Sequence, residues 1–542
     1  MAPSAQPWIF GLPDEILVTT FAAVRGDPPE LDARSGFWES RLEYGTRDIQ
    51  NVRLTCRRFY NTSSKFLIAA VSVEATYESL ARLEEISSHP IIGPGVMAIQ
   101  LHLAAYNKSL AVDRTRFVQY QTARLHQQMT LVNGGFFGPE LTRGTSKQAD
   151  LVCDRQEKAL SIIRAWEALI GEPDHSLSEE DSRYQRILVQ GFKEFADRSR
   201  EQREILERGI LFAKVTSALR RMLAVRHLRI HDNEDKLHDC DLHPDDCDHE
   251  TCPLFFKVQK DRETSFNAQL TNDEELCKAL SKRQSMFFGL EHHPAFLLDE
   301  PGIRIIPLIL TAFDAPDVPR LASLNIEMSA ISSFLAFSTE DDARRRIGLA
   351  MRSLRSFHFI HHGPAKPRSG DELRILRDFL GPIINVESLE GITVRLKLWN
   401  DGDDVFDPAA LPLISIINAR TVWPNLTNLT LDTLLIEQSD LTHLLHRMKS
   451  KHGSLGVYKI HLTDGSWAAI LDVLKERGYR WPGFSSPSGA ECEDMSPEDY
   501  RRIFGAYGEY YLQCKEADMY ISGCRGVNPL IVLPGLDSSL QN

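Results

Sequence analysis

The chain of 542 residues lacks the long apolar run that a membrane helix needs. Its longest apolar stretch, Ile303-Arg304-Ile305-Ile306-Pro307-Leu308-Ile309-Leu310, contains a charge and a proline. It falls well short of the ~18–20 residues of a span. No basic segment followed by an apolar one precedes Leu12, so no secretory signal is expected. The nine cysteines are scattered, with no framework spacing and no Cys-x-x-Cys hook. That excludes a disulfide scaffold and fits a reducing compartment, cytoplasmic or nuclear. The Asn-x-Ser/Thr triplets at Asn61, Asn107, Asn425 and Asn428 then read as chance matches.

Catalytic signatures are lacking as well. There is no Gly-x-x-x-x-Gly-Lys-Ser/Thr phosphate loop, no Gly-x-Gly-x-x-Gly, no His-Glu-x-x-His and no Gly-x-Ser-x-Gly elbow. Carboxylates are plentiful, but nothing singles out one pair as acid and base. No catalytic residue and no cofactor is named, and a non-catalytic chain is expected.

Positive charge is in deficit. The net charge of −13 and pI near 5.8 argue against a general binder of nucleic acid or anionic membrane. The excess is local, because His231 to Glu250 holds nine acidic residues and one Lys. The same stretch gathers His231, His238, Cys240, His243, Cys247, His249 and Cys252. Four thiolate or imidazole groups close a tetrahedral zinc site. The spacing here matches no common finger, and the carboxylates lack the regular spacing of a calcium loop. We read 231–252 as a solvated acidic loop with no metal. A metal-dependent enzyme built on it is the weakest of the functional readings.

What is present begins at Leu12. Leu12-Pro13-Asp14-Glu15-Ile16-Leu17 reads as a helix start. Pro13 suits a first turn, and Asp14 and Glu15 lie at the positive end of the helix dipole. Farther on, Ile49, Val52, Cys56, Phe59 and Phe66 step by 3, 4, 3 and 7, one helical face. From spacing alone, these are two or three short amphipathic helices of a capped hairpin.

The residue identities add to this. Leu-Pro-x-Glu-Ile-Leu followed by Val52-Arg53-Leu54-Thr55-Cys56-Arg57-Arg58-Phe59 resembles an F-box. That family is a three-helix module that docks on the Skp-family adaptor of cullin–RING ubiquitin ligases. The resemblance implies adaptor contacts from Leu12, Pro13, Glu15, Ile16, Leu17, Val52, Leu54, Cys56 and Phe59. Two features depart from the family: Thr20 stands where a second aliphatic residue is usual, and the link from Arg25 to Arg47 is long. Phe37, Trp38, Leu42 and Tyr44 in that link read as a packed excursion.

Beyond the module the pattern changes. Leu67 to Val73 and Val96 to Leu103 read as strands around a helix from Glu74 to Ile86. Helical patterns follow over Asp113–Leu131, Asp154–Ile170 and Ser178–Leu223, with a capping box at Ser178-x-x-Asp181 and a weak point at Gly209. A Gly-rich loop, 133–138, separates the first two. Apolar-x-apolar strand cores then recur at Leu228, Leu324, Phe357, Val394, Leu429 and Ile460; the last five stand 33, 37, 35 and 31 residues apart. Helical patterns lie between them, over Glu372–Leu380, Ser439–Met448 and Ser466–Lys475.

A strand plus a helix at near-constant period is the mark of a solenoid. The array resembles irregular leucine-rich repeats, cleanest at Leu426-x-x-Leu429-x-Leu431-x-x-Leu434. The alternative is an α/β domain with unrelated strands.

The expected fold class is therefore mixed α/β: a small helical F-box, then a curved parallel-sheet solenoid with a helical insertion. The expected divisions are 1–66 helical module, 67–104 first strand–helix–strand repeat, 105–223 helical insertion, 224–477 repeats with the acidic loop 231–252, and 478–542 C-terminal cap. Gly478 onward is turn-rich and then helical over Pro497–Lys515, with Tyr500, Phe504, Tyr507, Tyr510 and Tyr511. The resemblance implies a substrate-recognition subunit of an SCF-type ubiquitin ligase, with the Skp-family adaptor, the cullin scaffold and an unidentified target protein as partners. The alternative function is a structural or regulatory interaction scaffold.

Overall fold

A computed structural model describes residues 9, 12–25, 46–132, 146–170, 178–232, 263–282, 302–328, 331, 333–361, 369–396, 423–448, 454–478, 481–505 and 515–531. The Gly-rich loop, most of the link after Arg25, Tyr507, Tyr510, Tyr511 and all of the acidic His/Cys stretch after Asp232 lie outside these residues.

Three short helices come first: α1 (Asp14–Arg25), α2 (Thr46–Arg53) and α3 (Arg57–Ser63), with a 3-10 turn over Ser64–Phe66. They enclose a small core of Leu17, Phe21, Ile49 and Phe59.

The chain then enters a nine-stranded sheet, parallel throughout. Its strands are β1 (Ala70–Glu74), β2 (Ala98–His102), β3 (His227–His231), β4 (Ser323–Met328), β5 (Ser356–His361), β6 (Gly391–Arg395), β7 (Asn428–Asp432), β9 (Ser454–Tyr458) and β11 (Trp481–Ser485). They lie side by side in chain order, so each unit adds its strand to the same growing edge. The two remaining strands, β8 (Leu435–Glu437) and β10 (His461–Asp464), pair in a second, two-stranded sheet.

Register is constant across the sheet, so residues at one level share a face. Val71, Ile99, Leu228, Leu324, Phe357, Ile392, Leu429 and Leu455 form one level. Val73, Leu101, Ile230, Ile326, Phe359, Val394, Leu431, Val457 and Phe484 form another. Both levels belong to the main core. The apolar faces of the connecting helices belong to it too: α4 (Tyr77–Ser88) through Leu80 and Leu83, α13 (Gly370–Ile384) through Leu376 and Phe379, α14 (Gln438–Arg447) through Leu441 and Leu444, and α15 (Trp467–Arg477) through Ile470 and Leu474. A helix without a neighbour on each side would leave half of that stripe in water.

Serine or threonine starts three of these helices; α14 follows Glu437, whose side chain makes no capping bond. Thr76 caps α4, a reciprocal capping box of Ser369 and Glu372 starts α13, and Ser466 caps α15. The capping box at Ser178 and Asp181 is formed as well, at the start of α8 (Glu179–Glu207). Gly209, at φ +67°, separates α8 from α9 (Ile210–Arg221).

The helical insertion divides differently from its expected boundary at 223. Helices α5 (Lys108–Val112), α6 (Arg114–Val132), α7 (Ser146–Glu167) and α8 share a separate core with Phe266, Leu270, Leu276 and Leu280. These last four come from downstream; Leu276 and Leu280 lie on α10 (Asp273–Ser281). By contrast, α9 turns Leu211, Val215 and Leu219 into the sheet core.

Two strand positions also differ. The segment Ile460-His461-Leu462 leads β10, in the small sheet, and the main-sheet strand of that unit is Ser454–Tyr458. The turn-rich segment after Gly478 contains β11, which pairs with β9 over Trp481–Ser485. The cap is thus the helical remainder, Pro497–Phe504 and Glu516–Ile521, and it closes over Phe484 through Phe504. Among the described residues no helix is long and apolar enough to cross a membrane.

Candidate functional site

Two surfaces stand out: the N-terminal module and the sheet face turned away from the core.

The module is closed by a few strong contacts. Phe21 and Phe59 meet edge to face at 5.2 Å. The buried Arg25 Nη1 donates to Thr46 Oγ1 at 2.8 Å and to the carbonyl of Phe66 at 3.1 Å. One guanidinium therefore ties the end of α1 to the start of α2 and to the exit of the module, and its burial lowers its pKa. Arg58 Nε donates to Asp14 Oδ1 at 2.8 Å, and its Nη2 also reaches the carbonyl of Leu12, which links α3 to the start of α1. Cys56 caps α3, its sulfur accepting from Phe59 N–H at 3.4 Å.

This arrangement sorts the sequence-predicted residues. Leu17 and Phe59 are buried in the module's own core, with Leu12, Val52 and Cys56 packed against it. Leu17 and Phe59 hold the module together and present no surface to a partner. The exposed ones are Pro13, Glu15, Ile16 and Leu54. Leu54 is the most open large apolar residue among those described, at 86 % exposure, and Ile16 follows α1 on the outside at 49 %. Tyr60, which spacing did not single out, is exposed beside Arg53, whose guanidinium lies 4.7 Å above its ring. Nothing in the period of the sequence separates Ile16 from Leu17; only the folded core does.

The second surface is the sheet face away from the helices. At its middle level Ser72, Gln100, Arg229, Asn325, His358, Thr393, Thr430, Gly456 and Gly483 stand in register. There is no apolar side chain in that row. One level on, Glu74, His102, His231, Glu327, Ile360, Arg395, Asp432 and Tyr458 follow. The rings of His102 and His231 lie 4.8 Å apart.

Its charges are matched locally. Arg229 Nη2 donates to Glu327 Oε2 at 2.8 Å, and Arg395 Nε donates to Asp432 Oδ2 at 2.6 Å. Both pairs bridge adjacent strands and are largely buried. His358 lies between them, its Nε2 3.0 Å from Ser356 Oγ, and burial pushes its pKa down to about 4. His227, at the start of β3, is likewise pushed down to about 4 by burial and by Arg226. Both rings are thus neutral at neutral pH. The middle of this face is polar, without net charge, and hydrogen-bonding.

Thr430 lies on this face, half-buried. His461 does not: it is buried in the small sheet, its Nδ1 3.0 Å from Ser488 Oγ. Of the His/Cys stretch, only His231 and Asp232 are described. Among the described residues no cluster of three or more His, Cys, Asp or Glu is placed to hold a metal. No protein-family model matches the chain, and no curated protein matches it.

Proposed function

We propose that the chain is a substrate receptor of an SCF-type ubiquitin ligase. In this reading residues 1–66 are an F-box on the Skp-family adaptor, itself held by the cullin scaffold. The ordered parallel units are an irregular leucine-rich-repeat solenoid, curved, whose polar face holds a target protein. The mechanism is proximity: the receptor raises the effective concentration of the target near the ubiquitin-loaded enzyme and does no chemistry of its own.

The observation that carries the reading is one of connection. A three-helix module opened by Leu12-Pro13-Asp14-Glu15-Ile16-Leu17 leads within a few residues of Phe66 into the first strand at Ala70. It keeps Ile16 and Leu54 outside, as a docking module requires and a merely structural hairpin does not. The test is co-purification of the full chain with the adaptor. The Leu12→Ala/Pro13→Ala double variant should lose the adaptor and keep its overall fold. Retention at wild-type level would overturn the assignment and favour a scaffold outside ligase assembly.

A further inference from the structure

From Ile16 to Val24, α1 runs for about two and a half turns without a charged side chain. Its inner face, Leu17 and Phe21, is buried in the module's core. Its outer face is in water: Ile16, Thr19, Thr20, Ala23 and Val24 are all exposed. The two threonines add no free donor to it. Thr19 Oγ1 donates to the carbonyl of Glu15 at 2.9 Å, and Thr20 Oγ1 donates to the carbonyl of Ile16 at 2.8 Å. Each hydroxyl hydrogen is spent within the helix, and the γ-methyl is the group each threonine has left to offer. The free face of a surface helix is normally charged, so a helix that is apolar on both sides lacks a neighbour on one of them.

We propose that this outer face of α1 is a docking ridge for an apolar, acidic-rimmed groove of the Skp-family adaptor, and that Thr20, at its middle, acts there as an aliphatic residue. Ile16, Thr20 and Ala23 stand four and three apart, hence on one stripe. That is the spacing by which a helix anchors in an apolar groove. The rim follows from charge. Residues 12–25 and 46–66 carry six basic and three acidic side chains, in a chain whose net charge is −13. Arg25 is turned inward and Arg58 is bonded to Asp14, while Arg47 and Arg57 are exposed. Two such modules set face to face would repel. The ridge is therefore complementary to an acidic partner and not to a second copy of this chain.

The ridge rests on the reading of residues 1–66 as an adaptor-binding module. Its test is a calorimetric titration of the purified full chain with purified adaptor, beside thermal melting of each variant alone. Thr20→Val keeps the shape and removes the hydroxyl, and it should bind as tightly as wild type or tighter. Thr20→Ser keeps the hydroxyl and removes the methyl, and it should bind about fourfold more weakly. Ala23→Glu should weaken binding by at least about a hundredfold, because its charge would be buried unpaired beside an acidic rim. Both positions are exposed in the free chain, so all three melting midpoints should stay within about 2 °C of wild type. Wild-type affinity should fall as salt is raised, and a rise would overturn the acidic rim. A weaker Thr20→Val with an unchanged Thr20→Ser would overturn the proposal, since the hydroxyl would then make the contact. Ala23→Glu binding like wild type would also overturn it, while leaving adaptor binding itself intact. No binding by wild type would instead remove the adaptor reading, and the ridge's occupant with it. A midpoint lowered by several degrees in Ala23→Glu would mean that the face already packs within the chain. A wild-type dimer in light scattering, split by Ala23→Glu, would give the ridge to a second copy. Either result would overturn the assignment.

Discussion

Thr433 donates its backbone N–H to the carbonyl of Tyr458 at 2.9 Å, and it does so from a left-handed conformation, φ +53°. The contact lies just past the ends of β7 and β9. There the chain turns out of the large sheet into the small one. Lys459 (φ +49°) follows β9 and Ser486 (φ +50°) follows β11 in the same way. Three consecutive units thus share one bend, each time with a residue other than glycine. A β-branched residue in that region is a strained choice, and Thr433 Oγ1 offsets part of the strain by donating to Asp432 Oδ1 at 2.7 Å.

The bend makes a sign-definite prediction. Thr433→Asn keeps a polar side chain and enters the left-handed region readily, so it should stabilise by about 0.5–1 kcal/mol. Thr433→Val keeps the branching and leaves Asp432 without that donor, so it should destabilise by about 1–2 kcal/mol. Urea midpoints of the two variants should bracket wild type. The opposite order would mean that branching at this position carries no strain.

Acid should weaken the fold through its buried imidazoles. His358 and His227 have pKa values pushed down to about 4, below the ~6.5 of an unfolded chain. Between those values the unfolded state binds more protons, so stability rises with pH there and is lost as pH falls. The half-buried Asp518, raised to about 6 by desolvation, acts in the other direction, because its folded form holds the proton longer. Two depressed imidazoles outweigh one raised carboxyl, and each imidazole contributes at most about 3 kcal/mol at neutral pH. The gap in stability between pH 7 and pH 5 should therefore shrink in His358→Gln. An unchanged gap would show that this imidazole is not the group concerned.

Leu431 tests the coupling between units. It is buried at the same level as Val394 and Val457 of the flanking strands. Leu431→Ala should destabilise by about 2–5 kcal/mol, and the opening should spread to β9 and β11, which have no other support on that side. Hydrogen exchange should show those strands losing protection together, with α1–α3 unaffected. Thr430→Ala, one residue away on the polar face, should leave exchange nearly unchanged. Uniform loss of protection over the whole chain would indicate one cooperative body rather than coupled neighbours.

The strand cores at Leu228, Leu324, Phe357 and Leu429 could be read from the sequence because their apolar alternation is local; burial follows it in β3 and β7, whereas β4 and β5 are buried almost throughout. The ninth strand could not, because Trp481-Pro482-Gly483 has the composition of a turn, and only pairing with β9 makes it a strand. The same holds for Ser454–Tyr458: Gly456 interrupts its pattern, while Ile460 and Leu462 nearby alternate better. The polar row was hidden for another reason. Asn325, His358 and Thr393 are 33 and 35 residues apart, and register alone brings them together. The bends at Thr433, Lys459 and Ser486 left no trace, since no glycine marks them.

The last prediction separates the module's core from its surface. Leu17 and Ile16 are neighbours in sequence, yet Leu17 is fully buried against Phe21, Ile49 and Phe59 while Ile16 is half exposed. Leu17→Ala should therefore destabilise the module by about 2–5 kcal/mol, and the exposed pair Ile16→Glu/Leu54→Glu should change stability by no more than about 0.5 kcal/mol each. On the proposed docking role the outcomes at the adaptor differ in kind. The double glutamate variant should lose co-purification while its melting curve and the protection of α1–α3 stay as in wild type. Leu17→Ala should lose it only as far as the module unfolds, and should regain it at lower temperature. If the glutamate variant still brings down the adaptor, the contact does not run through the face that Ile16 and Leu54 present. If it melts like Leu17→Ala, these two side chains pack against something and are not free for docking.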